Sequence, residues 1–437
     1  MAELVVRPGG ALRGEAIVPG DKSISQRAAI FAAMADGTTE IAGYLDGEDG
    51  QNTLKALAKL GAGVEIGEGS VRVTGVGGRG FSDPETVLDL GNSGTGLRLL
   101  LGAISGSDAF AALAGDASLS RRPMGRVVEP LRAMGARIDG RRNATLLPIC
   151  VRGGGLKGIA YDSPVASAQV KSAILLAGLG ASGETLVREP QVSRDHTERM
   201  LPAFGVDIES GPGWARVQGP RALRSPGRIE VPKDPSSAAF SLVAALIAGD
   251  SDVHADGVSI NATRIGWVEA IRAMGGDVEI DEAPGGLGSE PVGRIRARTS
   301  ELRGFELGGE LVPRTIDEIP ILCAAAVRAH GTTLIRDAAE LRVKESDRIA
   351  AICGEFAKLG IEAVERPDGL EIAGPQRVRG GVCQSRGDHR IAMTLAVLGL
   401  VADGPVTIED AECIHTSYPG FVQCLAALGA DVEWRAG

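Results

Sequence analysis

Six copies of a short pattern run along the 437 residues of this chain: an amphipathic helix ends in an apolar residue and glycine, then leads into a strand. The marker glycines are Gly61, Gly135, Gly205, Gly275, Gly360 and Gly429, and successive ones lie 74, 70, 70, 85 and 69 residues apart. Glycine directly after the last apolar helical position is typical of a left-handed helix end. Such regular spacing predicts six copies of one α/β unit.

A second series of helices lies between the helices of the first. Each opens with small polar or acidic residues, runs apolar for three or four turns and stops near glycine; counted from Ser23, Asn92, Ser167, Ser236, Glu318 and His389, the intervals are 69, 75, 69, 82 and 71 residues. Helices that are apolar around much of their circumference are expected to be central and buried. A solenoid is the alternative, but its repeats usually have about 20–50 residues. Strands are predicted at Glu15–Val18, Val71–Thr74, Arg228–Val231 and Val406–Ile408.

Chain length indicates how the six copies are grouped. A chain of 437 residues is too long for one hydrophobic core and suits two domains. Three copies in each of two lobes is therefore the expected arrangement. The similar segments VPGDK and VPKDP, at Pro19–Lys22 and Pro232–Pro235, are interpreted as hinges because proline and glycine interrupt regular structure there.

Composition limits the partners that such a chain can have. The net charge of −10 disfavours a nucleic-acid or acidic-membrane surface, and aromatic residues, at 3%, offer few stacking platforms for bases. The six cysteines form no CxxC pair and no metal-ligand spacing, as is typical of reduced thiols in a cytoplasm. The chain has no signal-peptide pattern and no apolar run of about 18 residues. We expect a soluble cytoplasmic protein.

Basic side chains recur at the starts of the predicted helices. Lys22 and Arg27 flank the first central helix, Arg98 follows GNSGT, Lys171 follows SAQ, and Arg390 follows GDH. A helix N-terminus has unpaired N–H groups and positive partial charge, so it binds phosphate and carboxylate. For any one residue a solvated surface charge is the alternative, but the repetition favours anion binding. The absence of GxxxxGK[ST] and of a dinucleotide GxGxxG disfavours a P-loop kinase and a Rossmann dehydrogenase.

Nine blocks of the sequence are long enough to identify a family. They are PGDKSISQR, GNSGTGLR, GDASLSRRPMGR, ASAQVKSA, SRDHTERM, PKDPSSAAF, IDEIPIL, LRVKESDRI and GDHRIAM. Nearly from end to end they resemble the 5-enolpyruvylshikimate-3-phosphate synthases, in particular the bacterial class with SAQVKSA and RDHTER blocks. The resemblance implies an α/β (α+β) fold with two lobes, each of three βαβαββ repeats arranged like an inside-out α/β barrel. It also implies an N-terminal lobe of residues 21–232 and a C-terminal lobe of residues 1–20 and 233–437.

The same resemblance implies an enzyme of aromatic amino-acid biosynthesis. Such an enzyme joins phosphoenolpyruvate to the 5-hydroxyl of shikimate-3-phosphate through a tetrahedral intermediate and releases inorganic phosphate. The reaction needs anion clamps, a base for the hydroxyl and an acid for the methylene carbon, and no metal or other cofactor. We expect a monomer whose partners are these two small molecules, with no nucleic acid and no membrane.

Site residues are implied block by block. For shikimate-3-phosphate they are Lys22, Ser23, Arg27, Ser167, Ala168, Gln169, Arg194, Asp317 and Lys344. For phosphoenolpyruvate they are Lys22, Asn92, Gly94, Arg122, Gln169, Arg348 and Arg390. Guanidinium groups suit both the carboxylate and the phosphate of that substrate. The implied catalytic residues are Lys22, Asp317 as base, and Glu345, which lies beside Lys344 where a proton is delivered and later removed.

Some of these roles have alternatives. Glu345 could be a first-turn helix carboxylate and Asp317 a helix cap. The competing activity is that of the sister transferase acting on UDP-N-acetylglucosamine, but its Lys-Asn pair and loop cysteine are absent, because Lys22-Ser23 and the cysteine-free Ala111–Pro123 stand there. A catalytically inactive anion-binding protein is a third hypothesis, disfavoured because the implied acids and arginines are all present.

Three positions depart from the family pattern, and a fourth bears on inhibition. Gln26 stands where His or Asn is frequent, Lys233 where Gly is common, and Thr416 where some relatives have Lys, so no ligand is assigned to Thr416. Glyphosate-tolerant members of the class have Ala at the position of Gly94. The open space beside Gly94 predicts sensitivity to that inhibitor, unless this glycine serves only a turn with positive φ.

Overall fold

The helices of both predicted series are present in the computed structural model, which describes residues 2–283 and 290–436. Within those residues the α-helices are α1 Lys22–Met34, α2 Glu48–Lys59, α3 Gly94–Ser105, α4 Gly125–Met134, α5 Arg141–Ala144, α6 Ala168–Gly180, α7 His196–Met200, α8 Pro235–Ile247, α9 Gly266–Ala273, α10 Leu311–Thr315, α11 Ile319–Arg328, α12 Arg348–Lys358, α13 His389–Gly399 and α14 Phe421–Ala427. Short 3₁₀ turns lie at Gly77–Arg79, Leu119–Arg121, Leu201–Phe204, Ala339–Val343 and Ala411–Thr416.

The six marker glycines all follow helices and all have left-handed backbones. Their φ values run from 73° at Gly360 to 112° at Gly135. A residue with a Cβ is strained in this conformation, so glycine ends each helix and turns the chain towards a strand. The prediction of six helix ends from the glycine spacing is confirmed.

Strands are short and occur throughout the described chain. They are β1 Glu3–Arg7, β2 Arg13–Glu15, β3 Thr38–Ala42, β4 Gly63–Gly67, β5 Ser70–Thr74, β6 Leu88–Asp89, β7 Phe110–Ala114, β8 Arg137–Gly140, β9 Ile149–Arg152, β10 Ala160–Asp162, β11 Gly183–Arg188, β12 Ile208–Gly211, β13 Trp214–Gly219, β14 Arg228–Glu230, β15 Asp252–Ser259, β16 Asp277–Ala283, β17 Val292–Arg298, β18 Glu306–Leu307, β19 Gly331–Ile335, β20 Val364–Arg366, β21 Gly369–Gly374, β22 Gly381–Gln384, β23 Val406–Glu409 and β24 Asp431–Arg435.

These strands form six four-stranded sheets with one shared pattern. The sheet orders are β14-β3-β5-β4, β6-β7-β9-β8, β10-β11-β13-β12, β2-β15-β17-β16, β18-β19-β21-β20 and β22-β23-β1-β24. In each, the first two strands are parallel and the other two pairings are antiparallel. A parallel pair needs a crossover helix, so each sheet with its two helices is one βαβαββ unit. The predicted sixfold α/β repeat is confirmed.

Three of the six repeats are completed by strands from distant parts of the chain. β14, at residues 228–230, supplies the parallel edge strand of the repeat that begins with α1. β1, at residues 3–7, lies between β23 and β24 and completes the last repeat. β2 pairs in parallel with β15, so residues 3–15 belong to two sheets formed otherwise by residues 252–435.

The described chain falls into two compact units. The N-terminal unit comprises residues 20–232 together with Glu290, and the C-terminal unit comprises residues 2–19, 233–283 and 291–436. Each unit contains three of the six sheets. The hydrophobic core of each unit is a separate cluster of buried side chains.

Three central helices form the core of each unit. They are α1, α3 and α6 in the N-terminal unit and α8, α11 and α13 in the C-terminal unit. Every residue of α8, Pro235–Ile247, is buried, as expected for a helix that is apolar on all sides. A Cβ added at Gly102 of α3 would lie 2.2 Å from the carbonyl oxygen of Ala173 in α6, so glycine permits these two helices to pack closely. Within the described residues, every helix is too short or too polar to cross a membrane.

One strand prediction was wrong and the other three were correct to within a residue or two. The strand expected at Glu15–Val18 is instead β2, Arg13–Glu15. The chain leaves the sheet after Glu15: Ile17 is 62% exposed, and its carbonyl accepts a hydrogen bond of 2.8 Å from the Tyr418 hydroxyl. Pro19 follows shortly and cannot donate to a strand ladder.

Candidate active site

The N-termini of the three central helices of the N-terminal unit carry the sequence blocks that predicted anion binding. Asp21 caps α1, Ser93 caps α3 and Ser167 caps α6; each side chain accepts from the backbone amide three residues further on, at 2.8, 3.3 and 3.5 Å. Side-chain caps satisfy only some of the four free N–H groups of a helix start. The remaining first-turn N–H groups and the positive end of the helix dipole are suited to bind an anion.

Arg122 is held beside the start of α3. Its Nη2 donates to Oδ1 of Asn92 at 2.5 Å and to the Ser118 hydroxyl at 3.3 Å. The Asn92 amide in turn donates to Asp116 at 2.7 Å, which fixes the orientation of its oxygen towards Arg122. A guanidinium oriented in this way keeps donor groups for a carboxylate or phosphate in a defined plane.

Gln169 connects the starts of α6 and α3. Its side-chain oxygen accepts from Nη1 of Arg98 at 2.6 Å, and its amide nitrogen donates to the Thr95 hydroxyl at 2.8 Å. The same Arg98 nitrogen lies 3.4 Å from the carbonyl of Gly94. The predicted residues Gly94 and Gln169 are therefore brought together through Arg98.

Arg27 is almost wholly buried behind the start of α1, at 2% exposure. Its Nε donates to the Thr197 hydroxyl at 3.0 Å and its Nη2 to the Ser172 hydroxyl at 2.9 Å. Its Nη1 donates to the carbonyl of Ser23 at 3.0 Å. The guanidinium therefore joins α1, α6 and α7, the three elements that carry or follow the predicted shikimate-3-phosphate residues of this unit.

Two buried side chains around Lys22 were not predicted from the sequence. Lys22 lies 3.3 Å from a carboxylate oxygen of Asp49, at the start of α2. Gln26, whose effect could not be inferred from the sequence, donates to the Ser93 hydroxyl at 2.6 Å and to the Asp49 carbonyl at 3.3 Å. Gln26, a residue of α1, thus joins that helix to the cap of α3 and to the first turn of α2.

A buried ammonium and two carboxylates lie behind the start of α6. Lys171 contacts Glu189 at 2.9 Å and Glu198 at 2.8 Å, and all three side chains are at most 5% exposed. Burial alone lowers the pKa of Lys171, but the attraction of Glu198 and Glu189 outweighs burial, so its pKa lies above the ordinary lysine value. The ammonium is therefore charged and engaged by protein carboxylates.

Arg348 is the centre of the predicted site in the C-terminal unit. Its Nε donates to Asp388 at 2.9 Å and its Nη2 to Glu345 at 2.6 Å. Its Nη1 lies 3.4 Å from Asp317. Burial opposes the charge, but the nearby carboxylates, Asp388 first, outweigh it and raise the pKa of Arg348 further above its usual range.

Asp317 faces two more cations. Lys344 lies 3.9 Å from its Oδ1 and Arg390 lies 3.7 Å from its Oδ2, while Arg390 also donates to its backbone carbonyl at 3.1 Å. Burial lowers the pKa of Lys344 below the ordinary lysine value, and the opposing attraction of Asp317 and Glu340 is too weak to restore it. A lysine of this kind gives up its proton more readily than a solvated one.

The helix-end alternatives for Glu345 and Asp317 are wrong. α12 begins at Arg348 and its cap is Asp347, which accepts from the Ala350 amide at 3.1 Å, so Glu345 lies before the helix and outside its first turn. The residue preceding α11 is Glu318, and no side-chain cap is formed there. Both carboxylates instead face the cations around Arg348.

The structure divides the predicted residues into two sets. The N-terminal unit carries Lys22, Ser23, Arg27, Asn92, Gly94, Arg122, Ser167, Ala168, Gln169 and Arg194. The C-terminal unit carries Asp317, Lys344, Glu345, Arg348 and Arg390. The second set forms one connected network of ion pairs. In the first set, direct contacts join Asn92 to Arg122 and Ser23 to Arg27, whereas Gly94 and Gln169 are linked through Arg98.

Among residues 2–283 and 290–436, two groups of side chains have a spacing that could hold a metal ion: Glu15 with His254 and Asp256, and Asp195 with His196 and Glu290. In the first, both oxygens of Asp256 accept hydrogen bonds from Arg294. In the second, His196 Nδ1 lies 2.5 Å from a Glu290 oxygen, and both side chains are fully buried. Neither group contains a predicted substrate or catalytic residue.

Comparison with known proteins places this geometry in a family. Residues 6–425 match the family model described as EPSP synthase (3-phosphoshikimate 1-carboxyvinyltransferase).

The chain belongs to the EPSP synthase family.

Similarity to EPSP synthases extends over the whole chain. The 3-phosphoshikimate 1-carboxyvinyltransferase of Citrifermentans bemidjiense is 51% identical over 426 residues, which cover 97% of this chain and 99% of that protein. The enzyme of the same name from Pelotomaculum thermopropionicum is 51% identical over 437 residues, 99% of this chain and all of the relative. A solved EPSP synthase from Acinetobacter baumannii is 43% identical, with a TM-score of 0.87 and full coverage of both chains.

The carboxylates that hold the predicted cations of this EPSP synthase family member were not predicted from its sequence. Asp388 caps α13 by accepting from the Arg390 amide at 3.0 Å and also binds Arg348, and the aspartate of the GDHR block was a detectable cap signal. Glu189 lies 22 residues beyond Ser167, so no local pattern connects the two. The backbone of Lys233, which stands where Gly is common in the family, forms a bridge to Val258. Nothing in the structure explains why a lysine side chain is present there.

Proposed function

We propose that this chain is a 3-phosphoshikimate 1-carboxyvinyltransferase, which transfers the enolpyruvyl group of phosphoenolpyruvate to the 5-hydroxyl of shikimate-3-phosphate and releases phosphate. The observation that carries the proposal is the network of Asp317, Lys344 and Glu345 around Arg348, in a chain of this family. This network combines carboxylates able to accept a proton with a lysine of lowered pKa. The reaction belongs to aromatic amino-acid biosynthesis.

Shikimate-3-phosphate binds through the residues at and around the start of α6. We assign its phosphate to Ser167, Ala168, Gln169 and Arg194, because first-turn amides and a guanidinium both favour a dianion. Lys22, Ser23 and Arg27 complete the set contributed by the N-terminal unit. The 2% exposure of Arg27 supports a role in which it holds Ser23 and α6 in place more than it meets solvent.

Phosphoenolpyruvate binds through guanidinium groups. We assign to it Asn92, Gly94, Arg122, Lys22, Gln169, Arg348 and Arg390. The restraint of Arg122 by Asn92 and of Arg348 by Asp388 supports this assignment, since each arginine is oriented before a ligand arrives. Orientation in advance lowers the entropy lost on binding.

Proton transfers accompany both halves of the reaction. Asp317 takes the proton of the 5-hydroxyl as its oxygen adds to carbon 2 of phosphoenolpyruvate, and a proton is delivered to the methylene carbon, which becomes a methyl group. The intermediate then loses phosphate, and one methyl proton is removed to restore the double bond. We assign delivery and removal to Lys344 and Glu345, with Lys22 close to the departing phosphate. The contacts of Asp317 with Lys344, Arg348 and Arg390 support its assignment to the group that carries out these transfers.

We further propose that the protein acts in the cytoplasm as a monomer, with the two substrates as its partners and no nucleic acid or membrane. Its net charge of −10 supports the absence of a nucleic-acid partner. The reaction needs no cofactor, because the charge that develops is met by arginine and lysine and the protons are carried by side chains.

Measurement of phosphate release tests the proposal. Protein mixed with phosphoenolpyruvate and shikimate-3-phosphate should release inorganic phosphate, and UDP-N-acetylglucosamine in place of shikimate-3-phosphate should give no release above background. Phosphate release from phosphoenolpyruvate with UDP-N-acetylglucosamine but not with shikimate-3-phosphate would overturn the proposal in favour of the sister transferase. Release with neither acceptor would indicate an inactive anion-binding protein.

A further inference from the structure

The start of α6 is fixed from behind by one buried carboxylate. Oε1 of Glu189, the residue after β11, accepts a hydrogen bond of 2.9 Å from the backbone amide of Ser167, the cap of α6. The Ser193 hydroxyl donates to both Glu189 oxygens, at 2.7 and 2.8 Å. Lys171, one turn into α6, contacts Oε2 at 2.9 Å. One side chain thus holds the cap residue, the first turn of α6 and the segment that precedes Arg194.

Burial makes this arrangement rigid. The Glu189 side chain is 1% exposed and the Lys171 side chain 4% exposed, so neither can exchange its partner for bulk water. Removing a buried hydrogen-bond acceptor leaves its donors unpaired, which is costly. The position of the Ser167 amide is therefore determined by Glu189 and not by solvent.

The Ser167 amide donates to Glu189 and is therefore not available to a ligand. The groups of this segment left for a phosphate are the Ser167 hydroxyl and the amides of Ala168 and Gln169, which have no partner within the helix because they lie in its first turn. Their direction depends on the rotation of the cap residue about its backbone. Glu189 sets that rotation.

We propose that Glu189 is a positioning residue for the phosphate group of shikimate-3-phosphate. It does not touch the substrate, and it acts by holding Ser167 so that the amides of Ala168 and Gln169 point at the phosphate. This inference rests on the proposed function and names a further residue on which substrate specificity depends. Its expected signature is selective loss of affinity for the phosphorylated acceptor compared with shikimate, which lacks the phosphate.

Glu198 supplies a matched control, because it binds the same lysine from α7. Its Oε1 contacts Lys171 at 2.8 Å, and within residues 2–283 and 290–436 no hydrogen-bond donor reaches its Oε2. The carboxylate of Glu198 therefore holds Lys171 without holding Ser167. Shortening either glutamate to aspartate keeps the charge of the cluster and withdraws the carboxylate, so the two variants differ in the Ser167 contact.

Three variants of the full-length protein test the proposal through kcat/KM for shikimate-3-phosphate and for shikimate, measured by phosphate release at saturating phosphoenolpyruvate. Glu189→Asp should lower kcat/KM for shikimate-3-phosphate about tenfold or more, and that for shikimate by less than about threefold. Glu198→Asp should change the ratio of the two values by less than about twofold. Glu189→Gln keeps an acceptor of full length and should retain most of the discrimination lost in Glu189→Asp.

Each outcome decides for or against the proposal. Equal losses with both acceptors in Glu189→Asp, or an unchanged ratio, would overturn it, because a general loosening of the fold weakens both substrates alike. An equal change of ratio in Glu198→Asp would assign the effect to Lys171 and overturn it as well. Far-ultraviolet circular dichroism and thermal melting check that each variant is folded. Failure of the unaltered protein to release phosphate would instead refute the proposed function.

Discussion

The space beside Gly94 is bounded by two guanidinium groups. Gly94 is the first residue of α3, and its φ lies outside the left-handed region, so the alternative that it serves only a turn with positive φ is wrong. A Cβ added there would lie 3.0 Å from Nη1 of Arg122 and 3.1 Å from Nη1 of Arg98. Arg122 is tied to Asn92, so it cannot move without loss of a charge-assisted hydrogen bond.

Gly94→Ala is expected to weaken the binding of glyphosate more than the binding of phosphoenolpyruvate, because the longer inhibitor needs more of the space that the methyl group would occupy. Overpacking of a rigid site costs about 1–3 kcal/mol, so the inhibition constant should rise roughly ten- to hundredfold. Steady-state kinetics with and without glyphosate measure its inhibition constant and the Michaelis constant for phosphoenolpyruvate. Gly78→Ala, a control with nothing within 4 Å of the added Cβ, should alter neither. Full activity of the unaltered protein in millimolar glyphosate, or equal weakening of both ligands by Gly94→Ala, would contradict the prediction.

Glu345→Gln should lower kcat by about a hundredfold or more, since it removes a proton carrier while keeping the shape of the side chain. Its contact with Arg348 is 2.6 Å, and an amide oxygen can still accept that hydrogen bond. Michaelis constants should therefore change little. Glu371→Gln, which alters an exposed ion pair with Arg366, is the control. Turnover within a few-fold of the parent would remove Glu345 from the catalytic set.

Lys344 gives the reaction a pH dependence of predictable sign. Burial lowers its pKa, so the ammonium form is lost as pH rises through a range below the ordinary lysine value of about 10.4. If the ammonium form is needed, kcat falls in that range. Lys344→Arg keeps the charge to higher pH and should move the fall upwards, although the rate at neutral pH is expected to drop. A pH profile of kcat for both proteins measures this, and an unmoved basic limb would show that another group titrates.

A tight turn before α13 places the carboxylate of Asp388 in contact with both α13 and α12. Arg386 and Gly387 both have positive φ, 58° and 68°, and Glu355 accepts from Nε of Arg386 at 2.7 Å. Positive φ is uncommon for a residue with a Cβ and persists where surrounding contacts hold it. The turn delivers Asp388 to the start of α13, where it also binds Arg348 of α12.

Asp388→Asn should raise the Michaelis constant for phosphoenolpyruvate about tenfold, because Arg348 loses a charged partner and with it a fixed orientation. Asparagine is a good helix cap, so α13 itself should persist. The control is Asp347→Asn at the cap of α12, whose carboxylate pairs with Arg342. Kinetics and thermal melting separate the effects. A large loss of stability in Asp388→Asn with an unchanged Michaelis constant would assign Asp388 to folding alone.

Local signals made the helices of this fold predictable, and long-range pairings did not. Glycine ends a helix through its own backbone, so the six marker glycines could be located without any knowledge of packing. The strand at Arg13–Glu15 was misplaced because its partner, β15, lies over 230 residues away. At the candidate site the cations were visible as helix-start patterns, whereas Gln26 and Glu189 act across elements and left no pattern in the sequence.

The two ends of the chain lie in the same unit. β1 is hydrogen-bonded to both β23 and β24, and β2 supplies the edge of the sheet that contains β15. Residues 20–232, by contrast, contain every strand of the three sheets of the N-terminal unit. The stability of one unit therefore depends on residues 3–15, and that of the other does not.

Deletion of residues 2–15 should destabilise the C-terminal unit selectively, because two of its sheets lose a strand. Hydrogen exchange of the amides in β15, β23 and β24 should become about tenfold faster or more, while exchange in β3 and β5 should be little changed. Mass spectrometry of peptides measures both. The control replaces Pro8 by serine between the two strands, leaving them intact. Uniform acceleration across both units would contradict the prediction.

β1 is synthesised early, but it pairs with strands that are synthesised last. Residues 3–15 leave the ribosome before the strands they pair with, and the last partner of β1 is complete only when β24 has been made at Asp431–Arg435. The N-terminal unit has all its strands once Glu230 has emerged, so it can fold while the other is still incomplete. At synthesis rates of about 5–20 residues per second, roughly 10–40 s pass between the synthesis of Glu230 and that of Arg435, and β1 lacks its last partner throughout this time. During this interval the apolar Leu4, Val5 and Val6 form an unpaired strand edge, the kind of segment that chaperones bind.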